Sequence, residues 1–468
     1  MNISVYEKIF WAVVNIVAIT ITAVWIQYLW SWYRTDSTFI NFDGKITVQE
    51  IDFPGIAICN LNKISKRRAY AFAKELSPFL KQENISSIIE DVKLIGNLYD
   101  FNMHRQESFW KVQEIFDKYD NLTDFNDLTK RILELTTPCP EVLQQCKWEG
   151  KEYPCGQLFF TRLTFDGFCC VFNYIRPSKR SKFYGTRNDY TIPAEPYKSH
   201  GAGMRYGLEV VLSNDIDDYL YTTMATTGYK VHIFNCKDFP DVLSGSLQEI
   251  LVSPGIHTLF SIELDVIRST PQIESIPTHL RKCVFDSEIR TSFGTYTQSD
   301  CLVECKARTM RDLCNCIPFV LPFDPNNTKI KYDGVCSLID IPCLSQYSRK
   351  WTKYYPIGLD SDYLNVEKQD SLYCECLPAC DGVNYNIHTN VLPIASDDKN
   401  ATKINVFFAQ ADGRLYKIDM TATWFEVISS YGGLMSLIMG LSIVSIIEVA
   451  VLLYKILAYY FYTLFKTL

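Results

Sequence analysis

Residues 9–30 read IFWAVVNIVAITITAVWIQYLW, and this stretch decides the architecture. No charged residue lies between Lys8 and Arg34. As a helix rising about 1.5 Å per residue, its 22 residues just cover the roughly 30 Å hydrocarbon core of a bilayer. Trp25, Tyr28, Trp30, Trp32 and Tyr33 gather at its far end, where amphipathic rings favour lipid headgroups. A cleaved signal peptide is the rival reading. The apolar run is too long for one, and bulky aromatics stand where a small-x-small cleavage site is needed.

A second apolar stretch, 427–454, carries one charge, Glu448. Two spans return the chain to the side where it began. The expected organisation is therefore a short cytoplasmic segment 1–8, a span 9–30, an extracellular domain 31–426, a span 427–454 and a cytoplasmic segment 455–468. Cysteine usage supports that sidedness. All 17 cysteines lie between the two spans, together with the sequons at Asn84, Asn121, Asn326 and Asn400. Disulfides and glycans share an oxidising compartment. A net charge of −7 gives no sign of a nucleic-acid partner.

Within the intervening domain, 64–119 shows apolar residues at helical spacing, as in KISKRRAYAFAKELSPFL and SFWKVQEIFDKY. Strand patterns follow: GLEVVLSN, YKVHIF and HTLFSIELDVI within 207–269, then KINVFFAQ at 403–410. The mixture predicts an α+β fold. Ten cysteines crowd between Cys283 and Cys380. Cys301 and Cys305 lie one helical turn apart, a rise of about 6 Å. Cys374 and Cys376, if extended, lie about 6.7 Å apart on one face. The two rises match, so a helix and an adjacent extended segment can be joined by two rungs. Zinc is disfavoured, because the close pairs are C-x-C and the compartment is oxidising. Connectivity does not follow from spacing alone.

Several motifs, in order, carry a family resemblance: FPGIAICNLNKISKRRA (53–69), FTR (160–162), GFCCVFN (167–173), CECLPAC (374–380) and GGLMSLIMGLSIVSIIE (432–448). With them the chain resembles the degenerin/epithelial sodium channels, and among them the insect pickpocket-type subunits. The resemblance implies Cys59–Cys169 and Cys146–Cys155. In the dense block it implies Cys283–Cys380, Cys301–Cys376, Cys305–Cys374, Cys314–Cys343 and Cys316–Cys336. Cys139 and Cys170 are left as an additional pair, and Cys236 as the odd thiol, read as a small buried hydrophobe. The implied fold is a trimer whose outer domain resembles a clenched hand: a central sheet, helical finger and knuckle regions, and a disulfide-stapled thumb at about 283–380.

Gly440-Leu441-Ser442 matches the family's G-x-S selectivity filter. A cation shedding water needs oxygens at close quarters, and small residues let helices from several subunits approach an axis. Ser445 and Glu448 follow at three-residue steps as pore-lining candidates, because an intramembrane glutamate usually faces water. Ordinary helix packing is the rival reading of these small residues. The span is also overlong, so it must tilt or break, with Gly432-Gly433 or the filter as the places to do so. Ser429 matches the family's degenerin position, a gate at the outer mouth.

Departures from the family are visible. No His-Gly dipeptide precedes the first span, which suggests a shortened start or different gating. Ser436 stands where the family often has Gly, and no Pro-rich ubiquitin-ligase motif follows Tyr454. Asp215, Asp217 and Asp218 read as a solvated loop rather than a calcium site. Lys63, Lys66, Arg67 and Arg68 read as a solvated helix face. The six histidines show no ligand spacing, and no catalytic motif is present. The chain is thus expected to be no enzyme, to need no cofactor, and to pass Na+ through a homo- or heterotrimer in a lipid bilayer on an extracellular stimulus. An ATP-gated-type two-span channel, or a two-span scavenger or adhesion receptor without a pore, are the alternatives.

Overall fold

The computed structural model describes residues 5–80, 84–101, 109–110, 112–114, 125–176, 195–245, 247–291, 293–322, 334–355, 371–394, 401–440 and 442–467. The chain divides into two units. The smaller comprises Met1–Asn41, Ser269–Lys282 and Lys417–Leu468; the larger comprises Phe42–Arg268 and Cys283–Tyr416.

In the smaller unit, α1 (Val5–Thr35) is long and apolar enough to cross a membrane, with a mean hydropathy of 2.3 over its best 18 residues. It contains neither proline nor glycine, so nothing interrupts its backbone hydrogen bonds. Thr20 and Thr22 turn their hydroxyls back onto the carbonyls of Val17 and Ala18, satisfying both groups within the helix. Just beyond α1, Ser37 is buried; its Oγ donates to the Leu280 carbonyl at 2.9 Å and its own carbonyl accepts the Thr421 amide. Thr270 ties to the same region, its amide to Ile418 O and its hydroxyl to Asp419 Oδ1. Three distant pieces of sequence are thereby stitched together before the chain enters its last helices.

The larger unit is built on two sheets. The strands in chain order are β1 (Thr38–Thr47), β2 (Gly55–Asn60), β3 (Leu143–Trp148), β4 (Lys151–Tyr153), β5 (Phe159–Thr164), β6 (Gly167–Phe172), β7 (Leu208–Ser213), β8 (Tyr229–Phe234), β9 (Gln248–Val252), β10 (Ile256–Ser269), β11 (Gly382–Pro393), β12 (Ala401–Phe408) and β13 (Asp412–Met420). One sheet runs β9-β8-β2-β6-β5, every pair antiparallel. The other has eight strands in the order β1-β13-β10-β12-β7-β3-β4, with β11 also on β10. β10 pairs antiparallel with β11 from Ile256↔Pro393 to Ile267↔Gly382 and parallel with β12.

Alternation explains β10. Thr258, Phe260, Ile262, Leu264 and Val266 are buried, and the residues between them are half-buried, as a pleated strand with one core face requires. The strands β2 and β8, by contrast, are buried almost throughout, and the polar Lys230 and His232 of β8 are buried along with their apolar neighbours. The two sheets share one core, in which Phe53 meets Trp148 at 4.8 Å and Phe408 at 5.1 Å between ring centroids, both edge-on.

A second core is helical. It gathers Phe72 and Leu76 of α2 (Lys66–Leu80), Ile88 and Val92 of α3 (Ile85–Lys93), and Val303 and Met310 of α4 (Gln298–Cys314). Two of these helices are capped by side chains just before them: Asn84 Oδ1 accepts the Ser86 amide before α3, and the Thr297 side chain accepts the Asp300 amide before α4. Helices at 66–80 and 85–93, and strands over 208–269 and 401–408, match the sequence patterns. SFWKVQEIFDKY lies mostly outside the described residues.

Candidate functional site: the broken helix of residues 424–467

The second apolar stretch folds as two helices, α5 (Trp424–Met439) and α6 (Ile443–Thr467). α5 starts with a reciprocal capping box, in which the Thr423 amide and hydroxyl both donate to Glu426 Oε2 at 2.7 and 2.8 Å. It is a neighbour of α1 and passes through Gly432 and Gly433 without interruption. The break falls at the G-x-S triplet instead. Gly440 sits at φ +64°, the left-handed conformation that closes a helix, and its amide bonds to the Ser436 carbonyl at 3.0 Å. Leu441 lies outside the described residues. Ser442 then opens α6: its Oγ accepts the Ser445 amide at 3.2 Å, and the two hydroxyls stand 3.1 Å apart.

Ser429, Gly433, Ser436 and Gly440 fall at steps of four, three and four, so one face of α5 carries a row of small residues. All four are exposed in the single chain. Beyond its own neighbours in the chain, a methyl group added at Gly432, Gly433 or Gly440 would meet no atom of the described residues within 4 Å. Ser430, the neighbour of Ser429, turns its hydroxyl back to the Glu426 carbonyl. Glu448 is exposed on α6 and Ser445 is half-buried.

The larger unit is stapled by eight disulfides: Cys59–Cys169, Cys139–Cys170, Cys146–Cys155, Cys283–Cys380, Cys301–Cys376, Cys305–Cys374, Cys314–Cys343 and Cys316–Cys336. α4 carries three of these cysteines. Its Cys301 and Cys305 make two adjacent rungs to 374–376, with Cα separations of 5.7 and 6.2 Å. Cys236 is free and fully buried, and desolvation pushes its thiol up to about 12. It is therefore an inert core residue at neutral pH. Of the four sequons, Asn84 is exposed; Asn121, Asn326 and Asn400 lie outside the described residues.

Two sequence readings need correction. Lys63 is not on a solvated helix face. It lies on the short strand Asn62–Ser65, 4% exposed, and its Nζ meets Asp166 Oδ2 at 2.6 Å. Burial pulls its ammonium below the usual lysine value, and Asp166 opposes that shift. Lys230 also reaches Asp166, and beyond it Glu249, which faces the buried His232. Asp218 is likewise not solvated. It is 4% exposed and accepts the Arg67 amide at 2.9 Å and its Nε at 3.2 Å, while Asp215 takes the other arm of the same guanidinium. Single-sequence spacing carries no signal for these pairs, because the partners are 103 and 151 residues apart.

At the base of α4 two further ion pairs are buried. Arg176 meets Asp300 at 2.7 Å and Lys306 meets Asp241 at 3.5 Å. The Arg176 guanidinium also lies 4.2 Å from the Phe293 ring centroid. Desolvation pushes the Asp300 carboxyl up to about 6 and the nearby Asp238 carboxyl up to about 7.

An apolar N-terminal helix, a disulfide-rich α+β unit and a broken apolar helix define the class of the molecule. The chain belongs to the amiloride-sensitive sodium channel family, whose sequence profile matches residues 2–452. It is 24% identical to pickpocket protein 28 of Drosophila melanogaster, over 96% of this chain and 74% of that protein. To the sodium channel protein Nach of Drosophila ananassae it is also 24% identical, over 94% and 80%. To the acid-sensing ion channel 1C of Danio rerio it is 22% identical, over 88% and 72%. The family consists of membrane ion channels, not enzymes.

Proposed function

We propose that this chain is one subunit of a trimeric, sodium-selective, amiloride-sensitive cation channel of the plasma membrane, opened by an extracellular stimulus. The spans are 9–30 and 427–454, both termini are cytoplasmic, and 31–426 folds outside as the clenched hand, its thumb at about 283–380. Gly440, Leu441 and Ser442 form the filter, Ser445 and Glu448 line the pore below it, and Ser429 is the gate position. Na+ is the permeant ion, and the trimer is built from copies of this chain or from related subunits.

One observation carries the reading. The second apolar helix breaks between Gly440 and Ser442 and nowhere earlier, although Gly432-Gly433 offered a weaker backbone. A break inside hydrocarbon is tolerated only where it is buried in protein or lines a water-filled path. The row of small residues on α5 leads to that break, so three copies of this face could meet on an axis.

The test is voltage clamp on cells expressing the chain, alone and with related subunits, using Ser429→Phe to open the gate. Overpacking a closed helix contact costs about 1–3 kcal/mol per site, and three sites together shift a two-state gate toward open. The expected result is a standing inward current that vanishes when sodium is replaced and that amiloride blocks. Surface-delivered Ser429→Phe protein that stays silent in both settings overturns the gate assignment. A current carried equally by sodium and potassium overturns the selectivity.

A further inference from the structure

We propose that Ser445 is a positioning residue of the filter, acting through a reciprocal helix cap with Ser442. This rests on reading 440–442 as the filter. The hydrogen bonds run both ways: the Ser445 amide donates to Ser442 Oγ at 3.2 Å, and the Ser442 amide faces Ser445 Oγ at 3.5 Å. The hydroxyls themselves are 3.1 Å apart. This is the arrangement of a capping box with serine in the place usually held by glutamate, four positions encompassing S-x-x-S. The start of α6 needs such a cap, because its first amides have no partner within the helix.

Counting hydroxyl valences gives the consequence. A serine hydroxyl has one proton and two acceptor sites. Ser442 Oγ gives one acceptor site to the Ser445 amide, and either its proton or its second acceptor site to Ser445 Oγ. When Ser442 donates its proton to Ser445 Oγ, one acceptor site is left to face a cation or a water; when it accepts from Ser445 instead, only its proton is left, which can donate to a water. Where that site or proton points is set by Ser445. The break thus has two halves: a left-handed turn at Gly440 that ends α5, and a two-serine cap that starts α6. Removing the Ser445 hydroxyl leaves Ser442 free to rotate away from its position, although Ser442 itself is unchanged.

The test uses the full chain reconstituted in planar bilayers, with reversal potentials under bi-ionic sodium and potassium. Ser445→Ala should lower the sodium/potassium permeability ratio several-fold, in the same direction as Ser442→Ala. Ser445→Thr, which keeps a hydroxyl, should restore it. The double variant should be no worse than Ser442→Ala alone, since both changes remove the same pair. Ser445→Cys, close in size but a weak hydrogen-bonding partner, should behave as Ser445→Ala and serves if the alanine variant fails to assemble. An unchanged ratio in Ser445→Ala and Ser445→Cys, with Ser442→Ala shifted, overturns the cap and leaves the filter reading standing. Additive effects in the double variant also overturn it. Unchanged ratios in Ser442→Ala and Gly440→Ala together overturn the filter reading itself.

Discussion

Gly440→Ala isolates the backbone geometry of the filter. Gly440 stands at φ +64°, ψ +18°. An L-residue held in that region costs about 1–2 kcal/mol, a factor of about 5–30 in the local equilibrium. Apart from its immediate neighbours in sequence, a Cβ there meets no atom of the described residues within 4 Å, so more distant contacts add nothing. Alanine is also the better helix former, by about 1 kcal/mol, so both effects push toward continuing α5 through the break. In a trimer the same bias acts three times, about 3–6 kcal/mol in total. The filter carbonyls should then leave their positions, and the sodium/potassium permeability ratio in planar bilayers should fall, with surface delivery unchanged. Gly440→Asn is the control. Asparagine visits the left-handed region more readily than alanine and should retain more of the selectivity. An unaltered ratio in the alanine variant would refute the reasoning. So would an asparagine variant as impaired as the alanine one, because side-chain size rather than φ would then be the cause.

Replacing Cys301 should lower surface delivery, because it strands Cys376 and opens a bridge spanning 75 residues, a loss of about 2–5 kcal/mol. A non-reduced digest should link Cys301 to Cys376 by mass spectrometry, and a link to Cys374 would contradict the nesting. The sequon at Asn84 predicts a glycan on the residue that also caps α3: Ser86→Ala should remove the glycan, read as a faster-migrating band whose difference from the parent disappears after glycosidase treatment, while leaving the helix cap in place. Asn84→Ala should remove both and additionally lower the thermal midpoint, the cap being worth about 1 kcal/mol; equal midpoints for the two variants would show that the cap contributes nothing. Above about pH 4, and up to about pH 7 for Asp238 and about pH 6 for Asp300, these carboxyls hold protons in the folded protein that the unfolded chain releases. Their contribution is full below the ordinary aspartate range and is lost as pH rises through those values, so stability from this source declines between about pH 4 and 7. Asp238→Asn should flatten the midpoint-versus-pH profile of the detergent-solubilised chain over that window, and an unchanged slope would refute the assignment.

How much was legible in advance depended on whether the signal was local. The long apolar helix, the strand alternation of Ile256–Ser269 and the two-rung match between Cys301/Cys305 and Cys374/Cys376 each follow from a rise per residue and a side-chain period. Lys66 and Arg67 are exposed on α2 as expected, but Lys63, grouped with them, misled for the opposite reason. Helical periodicity is a property of neighbours in sequence, whereas burial of Lys63 depends on Asp166 arriving from another strand connection. The break site was left open between two glycine positions, because each is locally permissive. The hydrogen bonds of Ser442 and Ser445 distinguish the triplet, and they exist only once α6 has formed.

By itself the sequence determined the apolar stretches, the oxidising compartment of the cysteines, the α+β character and, through ordered motifs, the family. These are set by composition, period and spacing, which do not require the chain to be folded. Tertiary structure decided which charges are buried as pairs, which carboxyls are raised, and where the last apolar helix breaks. The buried pairs and raised carboxyls depend on desolvation and on partners up to 151 residues away, which are in place only after the two sheets and the helical core have closed, whereas the break rests on bonds three and four residues long that exist only once α5 and α6 have formed.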